Sequence, residues 1–161
     1  MIMNRDTADR KLRRLAMEIA ERHEGTGEII FIGIRENGIH IARKIAGFLR
    51  TVFKGEVEVI DLWLDKKNPR EIVLSSSPDF SGKSILLIDD VANSGRTMLY
   101  SLKPLLEHYP ARVETLVLVE RTHKMFPIAV DYVGLSIATA RDENIIVGVE
   151  NGEVTGAWLE V

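Results

Sequence analysis

Two adjacent acids, Asp89 and Asp90, follow an apolar run, Ile85-Leu86-Leu87-Ile88, and precede Val91-Ala92-Asn93-Ser94-Gly95-Arg96-Thr97. The pattern is a buried strand, an acid pair, a short loop of small polar residues and the start of a helix. In open α/β sheets, ligands bind beyond the carboxyl ends of the strands. Amides of Ser94, Gly95, Arg96 and Thr97 at a helix N-terminus favour a phosphate. Ser94 and Thr97 add hydroxyl donors, and Gly95 lets the backbone approach closely. The two carboxylates are acceptors suited to vicinal ribose hydroxyls or to a magnesium shell. An isolated acid pair reads as solvated strand-end acids, and Asn93-Ser94 alone as a helix cap. The complete strand–acid–acid–loop–Gly–Thr–helix context favours the binding reading.

Three other stretches carry candidate chemistry. Gly33-Ile34-Arg35-Glu36-Asn37-Gly38 lies between a strand pattern and a helix pattern, one unit earlier in the chain. Taken alone, its Asn37-Gly38 is only a turn before a helix. Residues 66–78 hold Lys66, Lys67 and Arg70 with little periodicity. Such a stretch is ordinarily a solvated loop, although loops longer than about 12–15 residues in a compact domain are often lids. Glu120-Arg121-Thr122-His123 follows a strand pattern, and Asp131-Tyr132-Val133-Gly134 opens another. By themselves they read as a local ion pair, a surface histidine and a strand start.

The acid-pair segment resembles the phosphoribosyl-diphosphate signature of the type I phosphoribosyltransferases, an apolar strand followed by Asp/Glu-Asp, a few variable residues and Thr-Gly-x-Thr. Serine stands here for the first threonine and keeps its hydroxyl. The resemblance implies that Asp89 and Asp90 hold the ribose 2′- and 3′-hydroxyls, and that Asn93, Ser94, Gly95, Arg96 and Thr97 hold the 5′-phosphate. It assigns the diphosphate to the Arg35-Glu36 turn, through a strained non-proline peptide that exposes its amides. Lys66, Lys67 and Arg70 become a lid over the reaction centre. Mg²⁺ is implied as a cofactor carried on the substrate, with Asp89 and Asp90 as possible contacts. The segment 120–139 is similar to the base side of the pyrimidine-operon regulator/uracil phosphoribosyltransferase family. That resemblance implies that Arg121, His123, Tyr132 and Val133 face the nucleobase, and Tyr132-Val133-Gly134 also resembles the aromatic-aliphatic-Gly of the hypoxanthine-guanine enzymes, whose ring stacks on the base.

That resemblance covers about residues 28–140 and implies transfer of a phosphoribosyl group to a base, most simply uracil. Hypoxanthine-guanine enzymes carry lysine at the position of Glu120 and aspartate at that of Asn93. An amide is no general base, so purine transfer is the lesser alternative. Ala138 and Arg35-Glu36 also depart from the regulator pattern. A regulatory RNA-binding role, which that family also contains, is the other alternative. A receiver-type acidic pocket leaves residues 93–97 unexplained. By resemblance the protein is a homodimer.

The elements that must position these residues alternate. Leu12, Leu15, Ala16 and Ile19 predict a helix over 7–23, ended by Gly25 and Gly27. Residues 28–34 read as a buried strand. Ile39, Ala42, Ile45, Ala46 and Leu49 predict a second helix. Further strands are predicted at 57–63, 84–88 and 113–119, with a short hairpin through 71–74. A third helix is predicted over 95–109, with Leu105 and Leu106 inward and Pro110 as its stop. Residues 130–137, 144–149 and 157–161 are strand candidates, with Asn151-Gly152 as a hairpin turn. The alternation implies a parallel sheet with right-handed crossovers, and the tail an antiparallel flap. Trp63 and Trp158 are expected in the core or at a dimer interface. The predicted fold is one α/β domain over 1–161, a mostly parallel central sheet flanked by helices with a small hood.

Composition narrows the rest. At 161 residues with 45% hydrophobic and 28% charged, the chain is an ordinary globular one. It has no cysteine, hence no thiolate metal site and no cysteine nucleophile. Its net charge of −3 argues against bulk nucleic-acid binding. The dense basic cluster, Arg10-Lys11-Leu12-Arg13-Arg14, includes an inward leucine, and the last twenty-one residues hold five acids against one arginine. No apolar run reaches the ~20 residues of a membrane span, and no signal peptide is present, so a cytoplasmic location is expected.

Overall fold

The computed structural model describes residues 1–161. The chain opens on β1 (Met3–Asn4) and enters α1 (Arg5–Arg22), where the Asn4 side chain caps the helix by accepting from the Thr7 amide at 2.8 Å. Ala8, Leu12, Leu15, Ala16 and Ile19 form the buried face of α1, as their spacing requires. β2 (Glu28–Ile34) is buried along nearly its whole length, and α2 (Asn37–Leu49) packs back over it. β3 (Glu56–Trp63), β4 (Val73–Leu74), β5 (Ser84–Ala92), α3 (Arg96–Ser101), β6 (Arg112–Arg121), β7 (Tyr132–Ile137), β8 (Asn144–Glu150) and β9 (Glu153–Glu160) follow.

Six strands form the central sheet in the order β4-β3-β2-β5-β6-β7, parallel except for β4. A smaller antiparallel sheet, β1-β9-β8, is the hood. One face of the central sheet is covered by α1 and α2, around Leu15, Phe31, Ile45 and Leu86. The other carries a smaller core around Ile32, Leu62, Phe80 and Met98. The predicted α/β class and mostly parallel sheet hold. The Asn151-Gly152 turn also holds, with φ of +52° and +77° as a tight hairpin demands.

Four expectations need correction. The third helix ends at Ser101, followed by a 3₁₀ turn over Lys103–Leu105. Pro104 is the cause, because it lacks an N–H and its ring clashes with the carbonyl four residues earlier. Leu106 is consequently exposed rather than inward. β5 does not stop before the acids but runs through them to Ala92. β7 is not part of an antiparallel tail. It joins β6 in parallel, with Leu116 opposite Tyr132, after a non-helical crossover. Asp131 fastens that entry, its Oδ2 accepting the Thr115 amide at 2.9 Å. β1 is too short to leave a periodic signature, and Trp63 is 41% exposed in the single chain, which leaves the interface half of its expectation.

One glycine sets where the site forms. A Cβ at Gly38 would lie 2.7 Å from the Ile88 carbonyl oxygen and 2.9 Å from the Asp89 Cα. Both neighbours are backbone, so only glycine lets the first turn of α2 rest on β5 beside the acid pair.

Candidate active site

β5 delivers its two acids in different ways. Asp89 is 1% exposed and Asp90 is 8% exposed. The Asp89 Oδ1 accepts the Asp90 amide at 2.8 Å, and the Asp90 Oδ1 accepts the Val91 amide at 2.9 Å. The Asp90 Oδ2 accepts from the Asn37 side-chain amide at 3.0 Å. The Asp89 Oδ2 is buried and has no hydrogen-bond partner. Its nearest cation is the Lys66 ammonium at 3.6 Å, on a half-exposed side chain. Burial, and then the neighbouring Asp90 charge, hold the Asp89 carboxyl well above the usual carboxylate range, with Lys66 opposing them. A buried carboxylate with an unused oxygen is an acceptor waiting for a donor.

The loop 93–97 supplies the opposite polarity. Gly95, at φ +86°, turns the chain into α3. The Arg96 amide donates to the Ser94 Oγ at 3.2 Å. The amides of Ser94, Gly95, Thr97 and Met98 donate to no other group of the chain. Because α3 has only six residues, these loop amides and the Ser94 and Thr97 hydroxyls carry the anion-binding potential, not a long helix dipole. The Ser94 carbonyl accepts from the Met125 and Phe126 amides at 3.0 and 3.1 Å, which straps the 122–131 crossover against the loop.

A cavity of about 270 Å³ lies between the acids and this loop, with the edge of β8, residues 145–147, as its remaining wall. Asp89, Asp90, Asn93, Ser94, Gly95, Thr97 and Lys66 all line it. The Arg96 guanidinium turns away to donate to the Lys66 carbonyl at 2.8 Å, joining the predicted lid to the loop. The Asn93 side chain is taken up by the Ile145 backbone.

Other predicted site residues are not brought together. Arg35 donates to the Asp61 Oδ2 at 2.8 Å and lies 5.4 Å above the Trp63 ring, outside the cavity. The Arg35–Glu36 peptide bond is cis. Lys67 and Arg70 do not line the cavity. The Lys67 amide closes a turn onto Asp65, and the Arg70 carbonyl accepts from Lys103. Arg121 donates to the Glu143 carbonyl, and His123 is exposed in the crossover.

Tyr132 is the clearest correction. It is fully buried, beneath the Arg22 guanidinium, and its hydroxyl donates to the Glu114 carboxylate at 3.2 Å. That burial and the Glu114 charge push its phenol well above the usual tyrosine range. Tyr132 sits opposite Leu116, midway along β6 and away from the strand ends, because β7 starts in parallel with β6. Val133 follows it, opposite Val117, and is likewise outside the cavity.

The sequence reading missed the β8 wall, Asn37 and Asp61. Asn37 carried a signal, a short amide beside Gly38 in the turn over the acids. Nothing local marked residues 145–147, whose contacts cross 52 positions to Asn93 and 110 to Asn37.

Known proteins match this arrangement. Residues 4–151 match the family described as "Phosphoribosyl transferase domain". "Bifunctional protein PyrR" of Roseiflexus sp. (strain RS-1) is 34% identical over 98% of this chain and 93% of its own length. "Pyrimidine operon regulatory protein" of Lactococcus lactis subsp. lactis (strain IL1403) is 35% identical over 91% of this chain and 87% of its own length. The hypoxanthine phosphoribosyltransferase of Trypanosoma cruzi superposes with a TM-score of 0.80 at 16% identity, over 97% of this chain and 94% of that one. A hypoxanthine-guanine phosphoribosyltransferase from Bacillus anthracis gives 0.73 at 20%, over 91% of this chain and 84% of that one. These two share the fold. The chain belongs to the phosphoribosyl transferase domain family, has the type I fold and falls within the PyrR-like group.

Proposed function

We propose that the protein transfers the 5-phosphoribosyl group of phosphoribosyl diphosphate to a pyrimidine base, most simply uracil. The observation that carries this reading is the buried acid pair with an unpartnered Asp89 Oδ2, lining one cavity together with the free amides of loop 93–97. A base nitrogen attacks the anomeric carbon, the new N–C bond forms and the C–O bond to diphosphate breaks. The base N–H proton passes to solvent. The transition state has oxocarbenium character, as in other glycosyl transfer, so no protein nucleophile is required.

Each group then has a defined task. Asp89 and Asp90 accept the ribose hydroxyls and fix the sugar. Residues 94–97 hold the 5′-phosphate, which positions the anomeric carbon. Lys66 swings from Asp89 toward the leaving group, while Lys67, Arg70 and an Arg35 released from Asp61 complete the positive wall. Glu36 presents the turn backbone. Arg121 and His123 remain on the base side, whereas Tyr132 and Val133 leave the assignment. Glu120 accepts from the Lys124 ammonium and the Ser136 hydroxyl, both at 2.8 Å, so the Lys124 charge is already paired beside it.

Mg²⁺ fits as an ion carried by the substrate. The chain assembles no group of three His, Cys, Asp or Glu side chains that could cage a metal. Magnesium is commonly held by one or two carboxylates plus substrate phosphates, with waters completing its shell. Asp89 and Asp90 are the carboxylates available, and the bound ion would supply charge stabilisation to the departing diphosphate.

Phosphoribosyl diphosphate with Mg²⁺, at a hundredfold excess over Kd, should add about 2.7 kcal/mol of stability. That corresponds to a rise in Tm of about 5–10 °C. Incubation with uracil should yield the nucleotide. No shift at millimolar donor, or product only from purines, overturns the reading. The same reading carries a cytoplasmic homodimer acting as one domain over residues 1–161, for which sedimentation at twice 18.1 kDa is the check. No helix is long and apolar enough to cross a membrane.

A second reading follows from relatives named as pyrimidine operon regulators. The protein would then bind a pyrimidine-operon leader RNA with an affinity that falls steeply with salt. Equal binding to unrelated RNA, or none at 50 mM salt, removes it.

A further inference from the structure

β8 is the outer strand of the hood sheet, paired on one side with β9. An edge strand presents alternate backbone groups outward with no ladder partner. Here two asparagine side chains stand in for that partner. The Asn93 Oδ1 accepts from the Ile145 amide at 3.3 Å, and its Nδ2 donates to the Ile145 carbonyl at 3.4 Å. The Asn37 Nδ2 donates to the Val147 carbonyl at 3.0 Å. Ile145 and Val147 are two residues apart, so their backbone groups point to the same edge of the strand. A side-chain amide offers the same donor and acceptor as a peptide group, which is why asparagine suits both places.

Both asparagines come from the turns that build the site. Asn93 opens the loop after the acid pair. Asn37 begins α2, and its amide also donates to the Asp90 Oδ2 at 3.0 Å. One nitrogen therefore uses its two hydrogens to join the Asp90 carboxylate to the hood. No ion pair between the acid pair or its loop and β8 duplicates this link; the hood's cationic tie, Lys44 to Glu153, lies on β9.

We propose that Asn37 and Asn93 are positioning residues that register the edge of β8 over the cavity, and that Asn37 couples the orientation of the Asp90 carboxylate to the hood. The coupling half rests on the reading that Asp90 receives the ribose. Ligand at Asp90 then reaches β8 through one side chain.

Hydrogen exchange and kinetics on the full chain test this. In unliganded protein, Asn93→Ala should speed exchange at the Ile145 amide about tenfold, as expected for one lost hydrogen bond. Asn37→Ala should speed exchange across residues 145–147 while the amides of β2 and β5 keep their rates. Asn37→Ala should also raise KM for phosphoribosyl diphosphate about tenfold with a smaller change in kcat, and Asn37→Gln should recover part of it. Unchanged exchange in both alanine variants overturns the clamp. Faster exchange with an unchanged KM overturns the coupling to Asp90. A wild-type protein that neither binds nor turns over the donor refutes the functional reading and the coupling with it, while the exchange rates still decide the clamp.

Discussion

Asp89→Asn should lower kcat/KM about 10–100-fold and yet raise the melting temperature of the unliganded protein at neutral pH. The loss follows from replacing a charged acceptor. Hydrogen bonds to charged groups contribute about 1.5–3 kcal/mol, at about 1.4 kcal/mol per tenfold in rate. The gain follows from burial. The Asp89 carboxyl is held well above its ordinary value of 3.8 by desolvation and by the Asp90 charge. Below that ordinary value both folded and unfolded states are protonated, and the group costs nothing. As pH rises, the unfolded chain releases its proton first, so native stability falls until the raised folded value is passed. Asparagine does not titrate and still offers an oxygen to the Asp90 amide. The difference in Tm between variant and wild type should therefore be small near pH 4.5 and larger at pH 8, at about 2–4 °C per kcal/mol. The lost Lys66 contact subtracts little, since that ammonium is half exposed. A variant less stable than wild type at every pH would show that the carboxylate is not strained by its burial.

Glu114→Ala should be the most damaging change outside the site. The Glu114 carboxylate accepts from the Tyr132 hydroxyl with both oxygens at 3.2 Å, meets the His23 Nε2 at 2.6 Å and receives Arg112 at 3.1 Å. His23 and Tyr132 are themselves buried. The network fastens the end of α1 to β6 and β7, at a distance from the acid pair. Removing its centre leaves two buried polar groups without partners, each worth about 1–3 kcal/mol. The native state of an ordinary domain is only about 5–15 kcal/mol more stable than the unfolded one. Urea unfolding should show a loss of about 2–6 kcal/mol. Tyr132→Phe should lose only about 1 kcal/mol, because Glu114 keeps His23 and Arg112. If Tyr132 instead stacked on a base, Tyr132→Phe would be mild in both stability and turnover, but Tyr132→Ala would raise KM for the base. A KM effect of that kind, with stability unchanged, would refute the structural role.

The contrast between Asp90 and Tyr132 shows where sequence reading succeeds. Asp89-Asp90 and Ser94, Gly95 and Thr97 are close in the chain, and a strand followed by a sharp turn leaves them few alternatives. Their meeting in one cavity was legible from order and residue type. Tyr132 is matched through the resemblance of Tyr132-Val133-Gly134 to a family motif, which describes a strand but not its register. Starting β7 in parallel with β6 puts that ring against Glu114 and Arg22. The residues expected in a lid divide in the same way. Lys66 reaches Asp89, whereas the Lys67 and Arg70 side chains are exposed outside the cavity, and only their backbone groups are tied to Asp65 and Lys103.

The sequence by itself determined the α/β alternation, the apolar strands, the acid pair and the small polar loop after it, because each is written in periodicity or in adjacent residues. Tertiary structure alone decided which acid is strained, which arginine is already paired and what closes the cavity. The physical reason is range. Asn37 to Val147 spans 110 positions and Asn93 to Ile145 spans 52. No local pattern encodes a contact that exists only after two sheets have docked.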